Sequence, residues 1–367
     1  MKKFDFNIPT KIIYGRGRIK ELGENVDTQM ANILIVTDKN VAQQSGALEI
    51  LSSQLKGQNL IVFDEVEENP SLDLLDKGRL LAQREHINLI IGLGGGSPMD
   101  AAKGIAVLST NEGGMLDYME GKNLAHDPLP VICIPTSSGT GSEVTPYAVF
   151  TDRKRQTKGG FSHPKIFPQV SIVDPELTYS MPKSVIINTG LDALTHAIEA
   201  FLSTDAFELN DALALHAINI ILKELPEASH KSKTAMDALA YAAMIAGITI
   251  THAGTILLHI MAYPLTVFHS IPHGKANAIL LPGFLEFMKE KSFVKDKVRQ
   301  LDEIFQAVNG IDAFIHRFEI STELSSYGIR PSQFDLFAKK TIIKDDIKIT
   351  PAKISKSDIH DIYKSVK

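Results

Sequence analysis

Cysteine is nearly missing from this chain: Cys133 is the one thiol in 367 residues, so no disulfide can form within it. Excess positive charge is missing too. The net charge of −5 offers no basic field for a phosphate backbone, which argues against nucleic acid as a partner and for a small molecule. The opening residues, MKKFDFNIPTKII, lack the apolar core of a signal peptide because Asp5 interrupts them, and the expected compartment is the cytoplasm. Repeats, low-complexity tracts and long linkers are absent. What remains, 44% hydrophobic and 22% charged, fits a soluble protein with room for two domains and a large core. Cys133, inside the apolar run PVICIP, reads as a small buried residue rather than a nucleophile.

The sharpest local absence is of charge. Residues 238–274 contain no Asp, Glu, Lys or Arg, and Lys275 closes the stretch. Such a segment must be buried, yet it carries His252, His259, His269 and His273. A buried imidazole needs a hydrogen-bond partner or a metal ion to offset its desolvation. The stretch is long enough to span a bilayer. Four histidines, several threonines, Pro264 and the lack of a Lys/Arg cluster ahead of it argue against a membrane span.

Upstream, the pattern alternates between strands and helices. Residues 32–37 (NILIVT) form a continuous β-branched run, the mark of a fully buried strand, and Asp38 follows it directly. An acidic residue there can accept hydrogen bonds from a ribose 2′-hydroxyl and repel a 2′-phosphate; it can equally cap a helix. A helix over 41–55 and a strand over 59–63 complete a βαβ unit. In HINLIIGLGGGS (86–97) an apolar strand ends at Leu93 and Gly94, Gly95 and Gly96 make a turn. Ser97 can cap and Pro98 takes the first helical position, leaving bare amides at a helix N-terminus suited to phosphate. The spacing is neither GxGxxG nor GxxxxGK[ST]. A second small-residue loop, Thr136 to Glu143, follows the buried strand LPVICIP, and a further strand runs over 147–150. Two such loops at the carboxyl ends of neighbouring strands are where an open α/β sheet binds its ligand. Lys158, in the Gly-rich segment QTKGG, can add a cation to that cleft or lie on the surface. The last strand is expected at 170–173.

Beyond Pro182 only helical patterns appear. In 188–202, Leu191, Leu194, Ile198 and Phe201 form an apolar stripe, and Asp192 and His196 stand four apart on one face. They make either a hydrogen-bonded pair or half of an ion site completed by His259 and His273.

Four motifs in order, GGGSPMDAAKG, PTSSGTGSEVTPYAVFTD, GLDALTHAIEAF and HGKANAILLP, resemble the iron-containing, or group III, alcohol dehydrogenases over nearly the whole chain. Within the family they look most like the lactaldehyde reductase and 1,3-propanediol dehydrogenase type. The resemblance implies an α/β plus all-α fold. A Rossmann-like parallel-sheet domain (1–182) would join an all-helical metal-binding domain (183–367), in a dehydroquinate synthase-like architecture. It also implies that Asp192, His196, His259 and His273 hold Fe2+, or Zn2+. By the same resemblance Gly95, Gly96 and Ser97 meet the pyrophosphate, Thr136, Thr140 and Ser142 line the nicotinamide side, and Lys158 reaches the cofactor. Asp38 points to NAD rather than NADP. The implied activity is hydride transfer between the nicotinamide and a small primary alcohol or diol, or the corresponding aldehyde, by a homo-oligomer expected to be a dimer. One position departs from the pattern: many relatives carry a second histidine where this chain has Tyr263, which would relay protons or line the pocket, with His269 as a substitute. The alternatives are a glycerol dehydrogenase or dehydroquinate synthase relative with three protein ligands, an NADP-dependent aldehyde reductase, and a non-catalytic nucleotide sensor.

Overall fold

A computed structural model describes residues 2–26 and 32–366. Its strands are β1 (Lys11–Tyr14), β2 (Asn32–Val36), β3 (Asn59–Phe63), β4 (Leu89–Gly94), β5 (Val131–Pro135), β6 (Tyr147–Asp152), β7 (Thr157–Ser162) and β8 (Val170–Val173). Six of them form one parallel sheet in the order β1-β8-β5-β4-β2-β3. The runs that build it are mostly apolar because both faces are covered, with Lys11, Asn32, Asn59 and Ser171 as polar exceptions. The two-residue period of a strand divides those residues between the faces. Ile33 and Ile35 pack with Leu22, Ala47 and Leu51 of α1 (Leu22–Asn25) and α3 (Ala47–Gln54), the latter preceded by α2 (Lys39–Gln44). Leu34 and Val36 face the other way, toward α4 (Leu72–Arg84), α5 (Gly96–Thr110) and α6 (Met115–Met119).

From β2 the chain moves outward to β3 and then returns past β2 to β4. The crossing direction therefore reverses between β2 and β4, and the carboxyl ends flanking that reversal are where such sheets bind ligands. Asp38 stands just past β2, and the three-glycine turn just past β4.

Three local expectations need correction. The helix expected over 41–55 is broken into α2 and α3 at Ser45-Gly46. The strand expected at 147–150 leaves the parallel sheet and pairs antiparallel with β7, which turns the segment holding Lys158 into a hairpin strand. Helix α5 starts at Gly96, two residues before Pro98, and Gly95 is its N-cap, so Ser97 lies inside the first turn and does not cap it.

The C-terminal half is helical: α7 (Lys183–Leu202), α8 (Glu208–Ser229), α9 (Lys233–Ala253), α10 (Leu257–His269), α11 (His273–Lys291), α12 (Lys295–Gln306), α13 (Ile311–His316), α14 (Phe334–Ile342) and α15 (Lys356–Ser365). Helix α7 begins five residues earlier than the apolar stripe alone suggests. The uncharged stretch is not one helix. It breaks after Ala253 and again at Ser270, giving α9, α10 and the start of α11, all packed into one core with α7 and α8. Helices α7 and α9 are apolar and long enough to cross a bilayer, but 83% and 67% of those windows are buried inside the protein.

The two halves meet through the loop after β5. A Cβ on Gly247 of α9 would lie 2.7 Å from the Gly141 Cα, so the two backbones touch. The Tyr147 hydroxyl donates to the Ile250 and Thr251 carbonyls at 3.1 Å, and Thr251 Oγ1 donates to the Val144 carbonyl at 3.1 Å. At the β1 edge, Arg16 Nε and the Tyr179 hydroxyl both donate to Asp237, at 2.7 and 2.6 Å.

Candidate active site

Helix α7 carries Asp192 and His196 one turn apart, α10 presents His259, and α11 opens with His273. Ligand atoms of Asp192, His196 and His259 all lie within 4.8 Å of one another, and all three residues are buried. The His259 and His273 Nε2 atoms lie 3.7 and 4.0 Å from Asp192 Oδ1. The His196 and His259 rings stack at 4.6 Å, and the His273 ring meets His259 edge-on at 5.2 Å.

The outer ring nitrogens decide which way the inner ones face. His259 Nδ1 donates to Glu199 Oε2, whose other oxygen accepts from the backbone N–H groups of Ile256 (2.9 Å) and His259 (3.3 Å). His196 Nδ1 stands 3.3 Å from the Gly139 carbonyl, which can only accept, so that nitrogen carries the proton. Both rings therefore turn Nε2 inward, the nitrogen that would meet an ion once it carries no proton, as metal-binding histidines with a carbonyl or carboxylate behind them do. Asn277, four residues after His273, donates to Asp192 Oδ1 at 3.0 Å and approaches His259 Nε2 at 3.1 Å. Glu199 and Asn277 do not stand out in the sequence. The available signals are a lone acid three residues after His196 in an apolar helix and an amide four after His273.

Charge is distributed unevenly over the cluster. Burial works against the Asp192 charge, but the surrounding imidazoles outweigh it and hold the carboxyl well below the usual range. Burial lowers His196 to about 4 and holds His273 well below an ordinary imidazole. Burial also opposes a charged His259, but the Glu199 carboxylate prevails and raises it to about 9.

The nucleotide-side residues divide into those that face the cleft and those that do not. Gly95, Gly96, Ser97 and Thr140 keep part of their surface open. The two loops are pressed together: the position a Cβ of Gly96 would take is 2.5 Å from Thr140 Cγ2. Ser97 Oγ accepts from the Asn69 N–H at 3.2 Å, and Lys158 Nζ donates to Asn69 Oδ1 at 2.8 Å, so Asn69 joins both. Lys158 Nζ also lies 5.6 Å from the centre of the Tyr263 ring, which is 5.6 Å from His273. Thr136 and Ser142 are buried, and the Ser142 hydroxyl donates to Asp100 Oδ1 at 2.6 Å, pointing it into the protein rather than at the cleft. Asp38 Oδ1 accepts from the Asn40 N–H at 3.0 Å. His269 pairs with Gln333 at 3.0 Å and stands edge-on to Phe337. Cys133 is buried, and burial pushes its thiol up to about 12.

A glycine turn at the reversal point of a parallel sheet, joined through the loop after β5 to a buried carboxylate and imidazole cluster among the helices, is the arrangement of a nucleotide-linked oxidoreductase of the two-domain type. The iron-containing alcohol dehydrogenase profile matches residues 9–175, and the C-terminal profile of the Fe-containing alcohol dehydrogenase family matches 186–367. The 1,3-propanediol dehydrogenase of Citrobacter freundii is 31% identical across 99% of this chain and 98% of its own. The lactaldehyde reductase of Escherichia coli (strain K12) is 31% identical across 95% and 96%. A crystal structure of 1,3-propanediol oxidoreductase superposes with a TM-score of 0.92 at 30% identity, covering 100% of both chains. That of sulfoacetaldehyde reductase from Bifidobacterium kashiwanohense in complex with NAD+ gives 0.88 at 29%, covering 100% of this chain and 99% of its own. The chain belongs to the iron-containing alcohol dehydrogenase family and is an NAD(P)-dependent oxidoreductase of alcohols or aldehydes.

Proposed function

We propose that the chain moves a hydride between NAD(H) and a small primary alcohol or diol, or the matching aldehyde, at a divalent ion held by Asp192, His196, His259 and His273. The observation that carries this reading is a buried carboxylate beside two buried imidazoles, whose inner nitrogens are fixed by Glu199 and Gly139, with the half-buried His273 ring 4.0 Å from the same carboxylate. The donor set fits such an ion. His273 Nδ1 is buried without a hydrogen-bond partner, which favours a role for this ring beyond packing. One carboxylate and three imidazoles suit Fe2+ and Zn2+ alike. When bound, the ion supplies a Lewis acid that lowers the pKa of an alcohol or polarises a carbonyl.

The remaining work falls to the chain. The first turn of α5, with Gly95, Gly96 and Ser97, offers amides and a helix dipole to the pyrophosphate. Thr140 and the loop around it would hold the nicotinamide in place for hydride transfer. Lys158 and Asn69 bridge the two ends of that cleft. Asp38, past β2, favours a free ribose 2′-hydroxyl over a 2′-phosphate, hence NAD. Tyr263, between Lys158 and His273, lines the substrate side, and its hydroxyl stays protonated because burial raises its pKa. The division of labour follows residues 1–182 and 183–367.

The test is chelation followed by elemental analysis and reconstitution, with NADH and NADPH compared on propanal, lactaldehyde and 3-hydroxypropanal. Activity is expected to vanish with the ion, return with Fe2+ or Zn2+, and run on NADH. Full turnover in metal-free protein would overturn the proposal.

A further inference from the structure

Lys103 is a fully buried lysine whose ammonium makes no ion pair among the described residues. Its Nζ, with three N–H groups to donate, lies within hydrogen-bond reach of four acceptors: the Ser142 carbonyl at 2.6 Å, Ser142 Oγ at 2.9 Å, the Thr145 carbonyl at 2.9 Å and the Tyr147 carbonyl at 2.7 Å. Asp100, one turn earlier on α5, completes the network: it accepts from Ser142 Oγ at 2.6 Å and from the Val149 N–H at 2.9 Å. An ammonium taken out of water is costly, and an apolar side chain of similar length would fill the same space without that cost. The bonds this charge makes therefore indicate its use. All go to one segment, 142–147, the far end of the loop that follows β5.

That loop connects three places. It begins at Thr136, whose N–H donates to the Gly94 carbonyl at 2.9 Å in the glycine turn. Its middle supplies the Gly139 carbonyl to His196. Its end is fastened by Asp100 and Lys103 to the same helix whose first turn opens on the cleft.

We propose that Lys103, with Asp100, is a positioning residue that sets the loop 136–147 against the N-terminus of α5, and so fixes the nicotinamide half of the dinucleotide relative to the pyrophosphate half. This inference rests on the reading that α5 takes the pyrophosphate and the loop takes the nicotinamide.

The test compares NADH with ADP-ribose, which keeps the adenosine and pyrophosphate but has no nicotinamide, in the metal-loaded wild type, Lys103→Met and Asp100→Asn. Folding is checked by circular dichroism. The wild type is expected to bind NADH more tightly than ADP-ribose. Each variant is expected to keep its ADP-ribose Kd within about twofold while its NADH Kd rises about tenfold toward the ADP-ribose value. Asp100→Asn retains the ammonium and the helix, so it decides the matter if Lys103→Met does not fold. Equal weakening of both ligands, or no weakening of either, in a folded variant overturns the positioning role. Failure of both variants to fold would make the network a folding determinant and overturn it as well. A wild type that binds neither ligand instead refutes the assignment of the cleft, and the inference falls with it.

Discussion

Replacing Glu199 by glutamine tests the candidate metal site without touching any of its four proposed ligands. The carboxylate has two oxygens and no donor, and it accepts three N–H groups: His259 Nδ1 on one oxygen, and the Ile256 and His259 backbone amides on the other. Glutamine has one oxygen to offer. If that oxygen turns to His259, the side-chain NH2 faces two buried backbone donors and both lose their acceptor, at about 1–3 kcal/mol each. If it stays with the backbone amides, the NH2 faces His259 Nδ1, and that ring must move its proton to Nε2, the nitrogen needed for the ion. The second arrangement sacrifices fewer bonds, so the cost falls on ion binding. The expected loss is about 10–100-fold in affinity, or about 1.4–2.7 kcal/mol. Chelator competition with the purified variant measures it, and melting of the metal-free protein reports separately on the fold. A Glu199→Gln protein that binds its ion within about twofold of wild type would refute the argument.

Other outcomes follow from the same geometry. In the metal-free protein His259 is raised to about 9, His196 lies at about 4 and His273 is well below an ordinary imidazole, so at neutral pH His259 alone must give up a proton when the ion enters. Calorimetry in buffers of different ionisation enthalpy should find about one proton released per ion, with affinity rising with pH up to about 9 and flattening above it; release of none, or of two, contradicts this. A methyl group at Gly247 would lie 2.7 Å from Gly141 Cα and 2.8 Å from Val144 Cγ2. Gly247→Ala should therefore cost about 1–3 kcal/mol in thermal unfolding and raise the KM for NADH several-fold; unchanged values for both would show that the contact between loop and helix is slack. Asp38→Gly removes the charge proposed to exclude a 2′-phosphate and should shift kcat/KM toward NADPH by about tenfold, measured as the ratio of the two coenzymes; an unmoved ratio would dismiss Asp38 as the discriminator.

The parts of this molecule that were legible in sequence are those whose role follows from a residue's own chemistry and near neighbours. Parallel strands announce themselves as unbroken apolar runs, and Asp192 with His196 needs only the helical repeat. The uncharged stretch was less informative than it looked, because it offered four histidines on equal terms. His252 stacks on Phe6 and accepts from the Asn7 N–H, and His269 goes to Gln333, while His259 and His273 reach Asp192. What separates the two pairs is the pair of breaks that divide the stretch into three helices; the Ile-Pro-His-Gly sequence marks the second, and Gly254 ends α9 at the first. The β6-β7 hairpin escaped notice because a Gly-rich strand such as TKGGFS has too few apolar side chains to show a period.

Two serines make the physical limit plain. Ser97 and Ser142 both follow buried strands in small-residue loops, and nothing within five residues distinguishes their chemistry. Ser97 keeps part of its surface open at the cleft and accepts from Asn69, whereas Ser142 is drawn inward between Asp100 and Lys103. The direction of a hydroxyl is decided by which neighbouring charge claims it, and for Ser142 those charges lie about forty residues earlier in the chain, on the far side of β5. Glu199 and His259, sixty residues apart, are a second case of the same kind. Asp192 and His196 can be paired from spacing because they share a helix. The groups that aim those ligands come from other elements, and they become visible only once the sheet and the helices have been brought together.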